Sequence, residues 1–218
     1  MGNKTMRTLH KSLLRLIYLL AVSLLACMPF ITGTAEAAGE FEGAIRMDTK
    51  SADGDVQIIY FVRPQIMRTE MRSGQARAIT IQDFVKKRMY TLIPQMKQYA
   101  VTPLADDEGS DLNEAPPVRT GKTKKILGYN CELYKIKSPE GKTDLWVTKD
   151  IPAVKTLSHN LDGSTVTPLR IITYDKSGKE VLRQEVTKIE EKKLSSSLFK
   201  PPASYKQFKS PIPGSGYR

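Results

Sequence analysis

Short runs of alternating apolar and polar residues, separated by turn residues, occupy most of the chain after residue 40. In "IMRTEMR", Met67 and Met71 alternate with charged residues, which is the period of two expected for a half-buried strand. No long amphipathic helix separates these runs, which disfavours a parallel α/β fold. The pattern therefore predicts a mainly β protein, in which a single curved antiparallel sheet of about eleven strands forms an unclosed barrel. The predicted strands are residues 41–48, 56–63, 66–72, 76–82, 88–93, 96–102, 122–127, 131–137, 142–149, 166–174 and 179–190.

Turn residues indicate how neighbouring strands pair. Ser138-Pro139-Glu140-Gly141 fits a type I turn, with proline second and glycine fourth. If the two ends of this turn pair, Trp146 faces Leu133, and Cys131 lies on the same face of the hairpin. Further along, apolar residues at positions 151, 154 and 157 suit a short helix over residues 151–160, which we expect to act as a lid on the sheet.

The N-terminal segment has the order of a secretory signal peptide over residues 1–37. A basic stretch without acids comes first, the apolar run "LIYLLAVSLLACMPFI" follows, and Ala35 and Ala37 then occupy the A-x-A positions. We therefore expect cleavage after Ala37 and a periplasmic or secreted mature protein. Two other interpretations stay open, namely a lipoprotein signal with a lipid on Cys27 and a retained membrane anchor.

The rest of the chain is expected to form one β domain over residues 38–206. Within it, the acidic stretch "ADDEGSDLNEAPP" (105–117) has no periodicity and is predicted to be a surface loop. Residues 207–218 have the composition of a disordered tail. The formal charge of the whole chain is +11. In an exported protein this balance favours an anionic membrane surface over nucleic acid as a partner, although lysines spread along the chain also suit a solvated surface.

Cys131 is the residue whose chemistry matters most to the functional interpretation. It is the only cysteine outside the predicted signal peptide, so the mature chain offers it no disulfide partner. Its apolar neighbours indicate a small buried hydrophobe. A nucleophile pair with His159 stays an alternative. One cysteine and one histidine fall short of the three or four ligands of a zinc site, so we expect no metal and no cofactor.

The segments around this hairpin resemble a known family. "GYNCELY" (128–134) has the pattern G-Y-x-C-x-x-Y, and "WVTKD" (146–150) follows it, as in an exported bacterial domain family of unknown function. "LFKPPASYK" (198–206) is similar to the F-x-x-P-x-x-Y ending of the wider superfamily of outer-membrane lipoprotein carriers and receptors (LolA/LolB-like). That superfamily implies an unclosed barrel whose apolar face receives acyl chains under a small helical lid. The resemblance makes four residues a family signature with an expected structural role: Gly128, Tyr129, Cys131 and Trp146.

The expected function is a non-enzymatic periplasmic binding or carrier protein for a lipid, a lipoprotein acyl chain or another amphipathic ligand. A curled sheet needs a filling for its inner face, and a ligand, a lid or both can supply it. The alternative is a structural or interaction module of the cell envelope with a packed interior and no small ligand. No catalytic residue is expected. Candidate wall residues of an apolar cavity are Phe61, Met67, Met71, Ile79, Ile81, Met89 and Tyr134.

Overall fold

The computed structural model describes residues 40–104, 116–154 and 157–208. All of them fall within one unit of the chain, Gly39–Arg218. The predicted signal peptide with Cys27, most of the predicted acidic loop and the predicted tail beyond residue 208 lie outside the described residues.

The described residues form one sheet of thirteen strands. From edge to edge, the strand order is β13-β6-β5-β4-β3-β2-β1-β12-β11-β9-β8-β7, and β10 pairs with β11 beside this path. Because β7 and β13 lie at opposite edges, the sheet is not closed, which confirms the predicted architecture. The strands are β1 (Gly43–Ser51), β2 (Gly54–Arg63), β3 (Ile66–Ser73), β4 (Ala76–Asp83), β5 (Arg88–Ile93), β6 (Gln98–Pro103), β7 (Val118–Ile126), β8 (Tyr129–Ser138), β9 (Gly141–Thr148), β10 (His159–Leu161), β11 (Ser164–Asp175), β12 (Glu180–Glu191) and β13 (Lys206–Gln207).

All the predicted strands are present, and two short strands add to them. β10 pairs with the beginning of β11, and β13 runs parallel to β6. The parallel pair is the exception in a sheet whose other pairs are antiparallel. Since β13 includes Gln207, the folded part of the chain extends slightly into the range predicted as a tail.

The helix expected over residues 151–160 does not form in the described part of that range. Residues 151–154 are irregular, and His159–Leu161 form β10 instead. The Ser158 hydroxyl accepts the Val154 N–H at 2.8 Å and lies 2.8 Å from Thr167 Oγ1, which ties the segment to β11 as a turn. Its apolar residues still cover the core, because Ile151 and Val154 are buried. The Val154 carbonyl also accepts the Leu157 and Ser158 N–H groups at 3.0 and 2.8 Å, so the apolar spacing corresponds to a single turn with buried apolar residues.

Helical structure is minor among the described residues. It consists of two short 3-10 helices, Pro94–Met96 and Ser196–Phe199. In this part of the chain, no helix has the length and apolar content needed to cross a membrane.

The largest hydrophobic cluster extends from β3 to β7 along the sheet order. It includes Met67 of β3, Leu169 of β11 and Cys131 of β8, together with Ile151 and Val154 from the irregular segment after β9. Those two side chains occupy the position that the sequence assigned to a lid. The apolar surface of this cluster is thus covered by the chain itself.

Residues 192–208, here called the C-terminal strap, run from the end of β12 to β6, beside which the strap's own β13 forms the edge of the sheet. At one end of the strap, the Leu194 N–H donates to Glu42 Oε1 at 2.8 Å, and at the other the Phe208 N–H donates to the Tyr99 carbonyl at 3.0 Å. The strap buries Phe199 and covers a second hydrophobic cluster on β4 and β5. The strap residues that pack there are Leu194, Leu198, Phe199 and Tyr205, so the F-x-x-P-x-x-Y ending forms this cover.

A buried ion cluster fixes the strap to β3. Arg68 donates to Glu70 Oε1 through Nε at 2.9 Å, and another nitrogen of the same guanidinium donates to the Leu198 carbonyl at 3.1 Å. Arg77 donates to Glu70 Oε2 at 2.7 Å. Burial alone would raise the pKa of Glu70, but the hydrogen bonds from Arg68 and Arg77 outweigh it and hold the pKa below its ordinary value.

Candidate functional site: a cleft beside the signature hairpin

The β8–β9 hairpin has the register that its turn predicts. Leu133 pairs with Trp146, Cys131 pairs with Thr148, and Ser138 pairs with Gly141. Cys131 and Leu133 are buried, and so are Tyr134 and Val147 on the opposite face. The prediction that both faces of this hairpin are covered is therefore met by the side chains that the structure describes.

The thiol of Cys131 lies in the largest hydrophobic cluster with 1% of the residue exposed. Its Sγ is 3.7 Å from the Tyr129 carbonyl, to which it donates a weak hydrogen bond. Burial raises the pKa of the Cys131 thiol, so the thiolate that nucleophilic chemistry needs is disfavoured at neutral pH. His159, the other residue of the alternative nucleophile pair, is exposed at the start of β10.

Trp146 lies on the face that carries Cys131 and is partly buried against the largest cluster. The Nζ of Lys124, on β7, lies 3.9 Å from the centroid of the Trp146 ring. Burial lowers the pKa of Lys124, and the charge of Arg170 lowers it further. The ring and the ammonium form a cation–π pair that holds β7 against the hairpin.

A surface cleft of about 280 Å³ opens beside this hairpin, between β7, β8, β9 and β11. Its floor consists of the buried side chains of Tyr134, Val147 and Val166, which pack in one hydrophobic cluster, and Cys131 also borders the cleft although its thiol lies on the other face of the hairpin. Its rim consists of exposed or half-buried polar side chains, namely Arg119, Thr123, Asn130, Glu132, Lys149 and Asp150. An apolar floor with a charged rim suits an amphipathic group.

An irregularity in β7 shapes the cleft. Arg119 pairs with Tyr134 and Thr123 pairs with Glu132, so residues 120–122 stand opposite Leu133 alone. Within this bulge, the Thr120 hydroxyl donates to the Leu133 carbonyl at 2.8 Å, and Gly121 has a φ of +73°. Because glycine adopts this φ without steric cost, the bulge forms readily.

The rim carries charges of both signs. Arg119 Nε lies 2.5 Å from Glu132 Oε1, and this hydrogen bond raises the pKa of Arg119. Lys149 Nζ donates to Ser164 Oγ at 3.0 Å, and the Asn130 backbone N–H donates to Asp150 Oδ2 at 2.9 Å. These partners orient the rim side chains while leaving them accessible to solvent.

Tyr134 is the one predicted wall residue that lines the cleft. Burial raises the pKa of its phenol, and a hydrogen bond to Asp162 raises it further. The phenol therefore keeps its proton at neutral pH and donates it to that carboxylate. Asp162 lies in the turn between β10 and β11, which brings this acidic side chain to Tyr134.

The other predicted wall residues lie on two opposite faces of β2 to β5. Strand register places Phe61, Ile79 and Ile81 on the face that the strap covers. On the opposite face lie Met67, Met71 and Met89. The structure therefore does not bring the seven predicted residues together around one cavity.

The rim residues of the cleft were not predicted as a site. Arg119, Glu132, Lys149 and Asp150 come from three separate segments, and no local pattern links them. The bulge sequence Thr120-Gly121 is the one signal that could have pointed to the cleft. Among the described residues, no three side chains of the metal-binding types form a group that could hold a metal ion.

Residues 41–165, which include the whole signature hairpin, match the family described as "Domain of unknown function (DUF4412)". The chain belongs to the DUF4412 family. This membership confirms the predicted resemblance to a domain family of unknown function. The matched range of the DUF4412 domain contains every residue of the cleft except Val166, and it ends before the strap. No curated protein matches the chain significantly.

Solved structures with a similar fold include MucB from Pseudomonas aeruginosa in complex with MucA, at 14% identity and a TM-score of 0.52. That alignment covers 78% of this DUF4412 chain and 59% of the other chain. An uncharacterised conserved protein from Thermus thermophilus aligns at 15% identity and a TM-score of 0.49, over 78% of this chain and 91% of the other. A domain from Vibrio parahaemolyticus named for outer membrane lipoprotein sorting aligns at 9% identity and a TM-score of 0.29, over 75% and 90%.

Proposed function

We propose that this protein is a non-enzymatic binding protein of the bacterial envelope, which engages a partner at the cleft and keeps a packed interior. The observation that carries this proposal is the filling of the two hydrophobic clusters described above by the chain's own side chains. Ile151 and Val154 fill one, and Leu198 and Phe199 fill the other. The cleft, by contrast, is open to solvent above a floor of buried apolar side chains.

The dimensions of the cleft indicate what it can accept. A volume of about 280 Å³ is just below the range of roughly 300–1,000 Å³ typical of pockets for drug-sized ligands. It suits one apolar side chain that a partner inserts, with neighbouring backbone or charged groups paired by Arg119, Lys149 and Asp150. MucB, which shares the fold, is known from its structure in a complex with MucA, and this supports a fold that can present a surface to another protein.

A titration with a model side chain tests this proposal. N-acetyl-leucinamide, an apolar side chain on a peptide backbone, is added to ¹⁵N-labelled protein. We expect saturable shifts at Thr123, Glu132 and Val166, which line the cleft. Thr123→Trp fills the cleft from an exposed position and abolishes the shifts. Lys122→Trp, the matched control at the exposed neighbouring residue outside the cleft, preserves them. Shifts scattered over the surface, or equal effects of the two variants, would overturn the proposal.

Carriage of a lipid or lipoprotein acyl chain is a second candidate, favoured by the apolar face beneath the strap. Phe61, Ile79 and Ile81 lie there, and a separate segment of the chain covers them. Each buried CH₂ of an acyl chain contributes about 0.8 kcal/mol, so a chain that replaced the strap would bind tightly. Native mass spectrometry of protein purified without detergent tests this candidate. Stoichiometric bound lipid, with faster amide exchange in residues 194–205, supports carriage, whereas lipid-free protein supports the packed module.

The periplasmic or secreted location is also part of this proposal, because the N-terminal segment has the order of a signal peptide. Intact-mass analysis of the protein recovered from an osmotic-shock fraction tests it. A mature chain that begins at Ala38 is expected. A chain that begins at Cys27 with attached lipid would instead establish the lipoprotein alternative, and an uncleaved membrane fraction would establish the retained anchor.

A further inference from the structure

Two hairpin tips lie at the same end of the sheet. Strand β4 ends at Asp83 before the first tip (84–87), and β7 ends at Ile126 before the second (127–128). Antiparallel pairing aligns alternate strand ends along this side of the sheet. Asp83, at the end of β4, pairs with Ile66 at the start of β3, and Ile126, at the end of β7, pairs with Tyr129 at the start of β8. Phe84 and Tyr129, beside the two tips, both pack against the largest hydrophobic cluster. The tips therefore flank the same packed end of the domain.

Each tip exposes an aliphatic side chain at its apex. Val85 is 70% exposed and Leu127 is 47% exposed. Single exposed apolar residues are ordinary, but here each stands at a turn, where polar residues normally lie. Two such residues at one end of the sheet are a pair that folding does not explain.

The backbone at Leu127 makes its identity more unusual. Its φ is +52°, and Gly128 follows with a φ of +88°. Two-residue hairpin turns with positive φ at both positions favour Asn-Gly, Asp-Gly or Gly-Gly, because other side chains are strained there. Leucine at this position therefore strains the turn backbone and exposes an apolar side chain to water. A side chain retained despite both effects is a candidate for a contact outside the fold.

Cationic side chains lie close in sequence to Val85 and Leu127. Lys86, Lys87 and Arg88 follow Val85 and are exposed, and Lys125 precedes Leu127 by two residues and is exposed. Acidic side chains also lie near the tips. Asp83 accepts the Lys86 backbone N–H at 2.9 Å and pairs with Lys86 Nζ at 3.6 Å, Asp150 accepts hydrogen bonds from Asn130, and the exposed Glu40 lines the same pocket as Phe84. Taken over the two tips together, the four cationic side chains outnumber these three acids.

We propose that this end of the sheet docks on an anionic membrane surface. Val85 and Leu127 enter the boundary between head groups and acyl chains, while Lys86, Arg88 and Lys125 interact with lipid phosphates. Peripheral binding of this kind combines a small apolar insertion with attraction of basic residues to anionic lipids. Membrane docking goes beyond the proposed function, because it concerns the hairpin tips and does not depend on which partner binds in the cleft.

Vesicle sedimentation tests the docking surface. The full chain, purified after leader removal in the cell, is mixed with phosphatidylcholine vesicles with and without phosphatidylglycerol. We expect binding that depends on phosphatidylglycerol and weakens with salt. Lys125→Ala or Lys86→Ala lowers the partition coefficient about fivefold each, since each basic residue near an anionic surface contributes about one such factor. Lys176→Ala removes a lysine whose side chain is 70% exposed at the opposite end and leaves binding unchanged.

Leu127→Asn separates membrane contact from a structural role. Asparagine tolerates positive φ, so this variant should unfold at a higher denaturant concentration while binding vesicles more weakly. Val85→Ser should weaken binding without changing stability. Met96→Ser is the matched control, because Met96 is 61% exposed in the turn between β5 and β6 at the other end of the sheet.

Several outcomes would overturn the docking surface. These are the absence of binding to phosphatidylglycerol vesicles, an equal loss in Met96→Ser or Lys176→Ala, or a Leu127→Asn variant that binds as wild type. This test is independent of the test of the cleft. Thr123→Trp should leave vesicle binding unchanged while it abolishes the N-acetyl-leucinamide shifts.

Discussion

Glu70 offers the sharpest test of how the strap is held on the sheet. Its carboxylate is 6% exposed at the residue level and accepts hydrogen bonds from Arg68 and Arg77. Glu70→Gln keeps the shape but removes the charge, and its amide NH₂ must face one of the two guanidinium groups. Arg68, which is also buried, then keeps a positive charge without a carboxylate.

The magnitude follows from the burial of the two partners. Removing one member of a buried ion pair typically costs 3–5 kcal/mol, because an uncompensated charge stays in the interior. Glu70→Gln preserves one acceptor for Arg68, and Arg77 has a side chain that is 39% exposed and partly solvated. We therefore expect the free energy of unfolding at neutral pH to fall by about 3 kcal/mol, at the lower end of that typical range.

The loss should depend on pH in a defined direction. Since the pKa of Glu70 is lowered in the folded protein, its charge stabilises the fold above the ordinary pKa of 4.5, and this stabilisation disappears as pH falls through the lower folded-state pKa. The difference in the free energy of unfolding between wild type and Glu70→Gln should thus be largest at neutral pH and become smaller in acid. Urea unfolding monitored by the single tryptophan, Trp146, measures it at each pH.

A matched control and a local readout complete this test. Glu140→Gln removes a carboxylate whose side chain is 85% exposed, 3.6 Å from Lys176, and should leave stability unchanged. Because Arg68 also donates to the Leu198 carbonyl, Glu70→Gln should accelerate amide exchange in the strap more than in β8. A loss below about 1 kcal/mol, or a loss independent of pH in acid, would refute the reasoning.

Three further predictions concern packing around the two clusters and the hairpin. Phe199→Ala should cost about 3–5 kcal/mol in urea unfolding, because it empties the site under the strap, and a loss below about 1 kcal/mol would mean that the strap is not packed as described. Lys124→Met removes the cation 3.9 Å from the Trp146 ring, and Trp146 emission should change in the folded state; an unchanged spectrum would contradict the contact. In a Cys27→Ser background, Cys131 should react with a thiol-specific disulfide reagent only as fast as the protein opens, whereas rapid reaction in the folded state would show an accessible thiolate.

The sequence predicted the local pairing well because turns are local. Ser138 to Gly141 supplies both ends of a hairpin, and that is sufficient to fix the partners of Cys131 and Leu133. In the described part of residues 151–160 the predicted helix is absent, because a segment with a single turn buries Ile151 and Val154 as well as a helix would.

The candidate site was less predictable because it depends on contacts between distant segments. Alternation shows which residues of one strand share a face, but the register across β2 to β5 decides which faces of neighbouring strands coincide. That is why Met67 and Ile79, both predicted for one wall, lie on opposite sides. The cleft similarly requires the bulge at residues 120–122 and the approach of Val166 on β11.

The pairing of β1 with β12 has a consequence for the order in which the chain folds. Strands β2 to β6 and β7 to β9 are joined by short connections within each group, so their hairpins can close early. β1, however, pairs Gly43 with Glu191, and this contact closes a loop that contains nearly the whole domain. We therefore expect the β1–β12 pairing to form after the hairpins on either side of it. Until residue 191 has left the ribosome, the strand groups β2 to β6 and β7 to β9 are therefore expected to be present without the β1–β12 pairing that joins them.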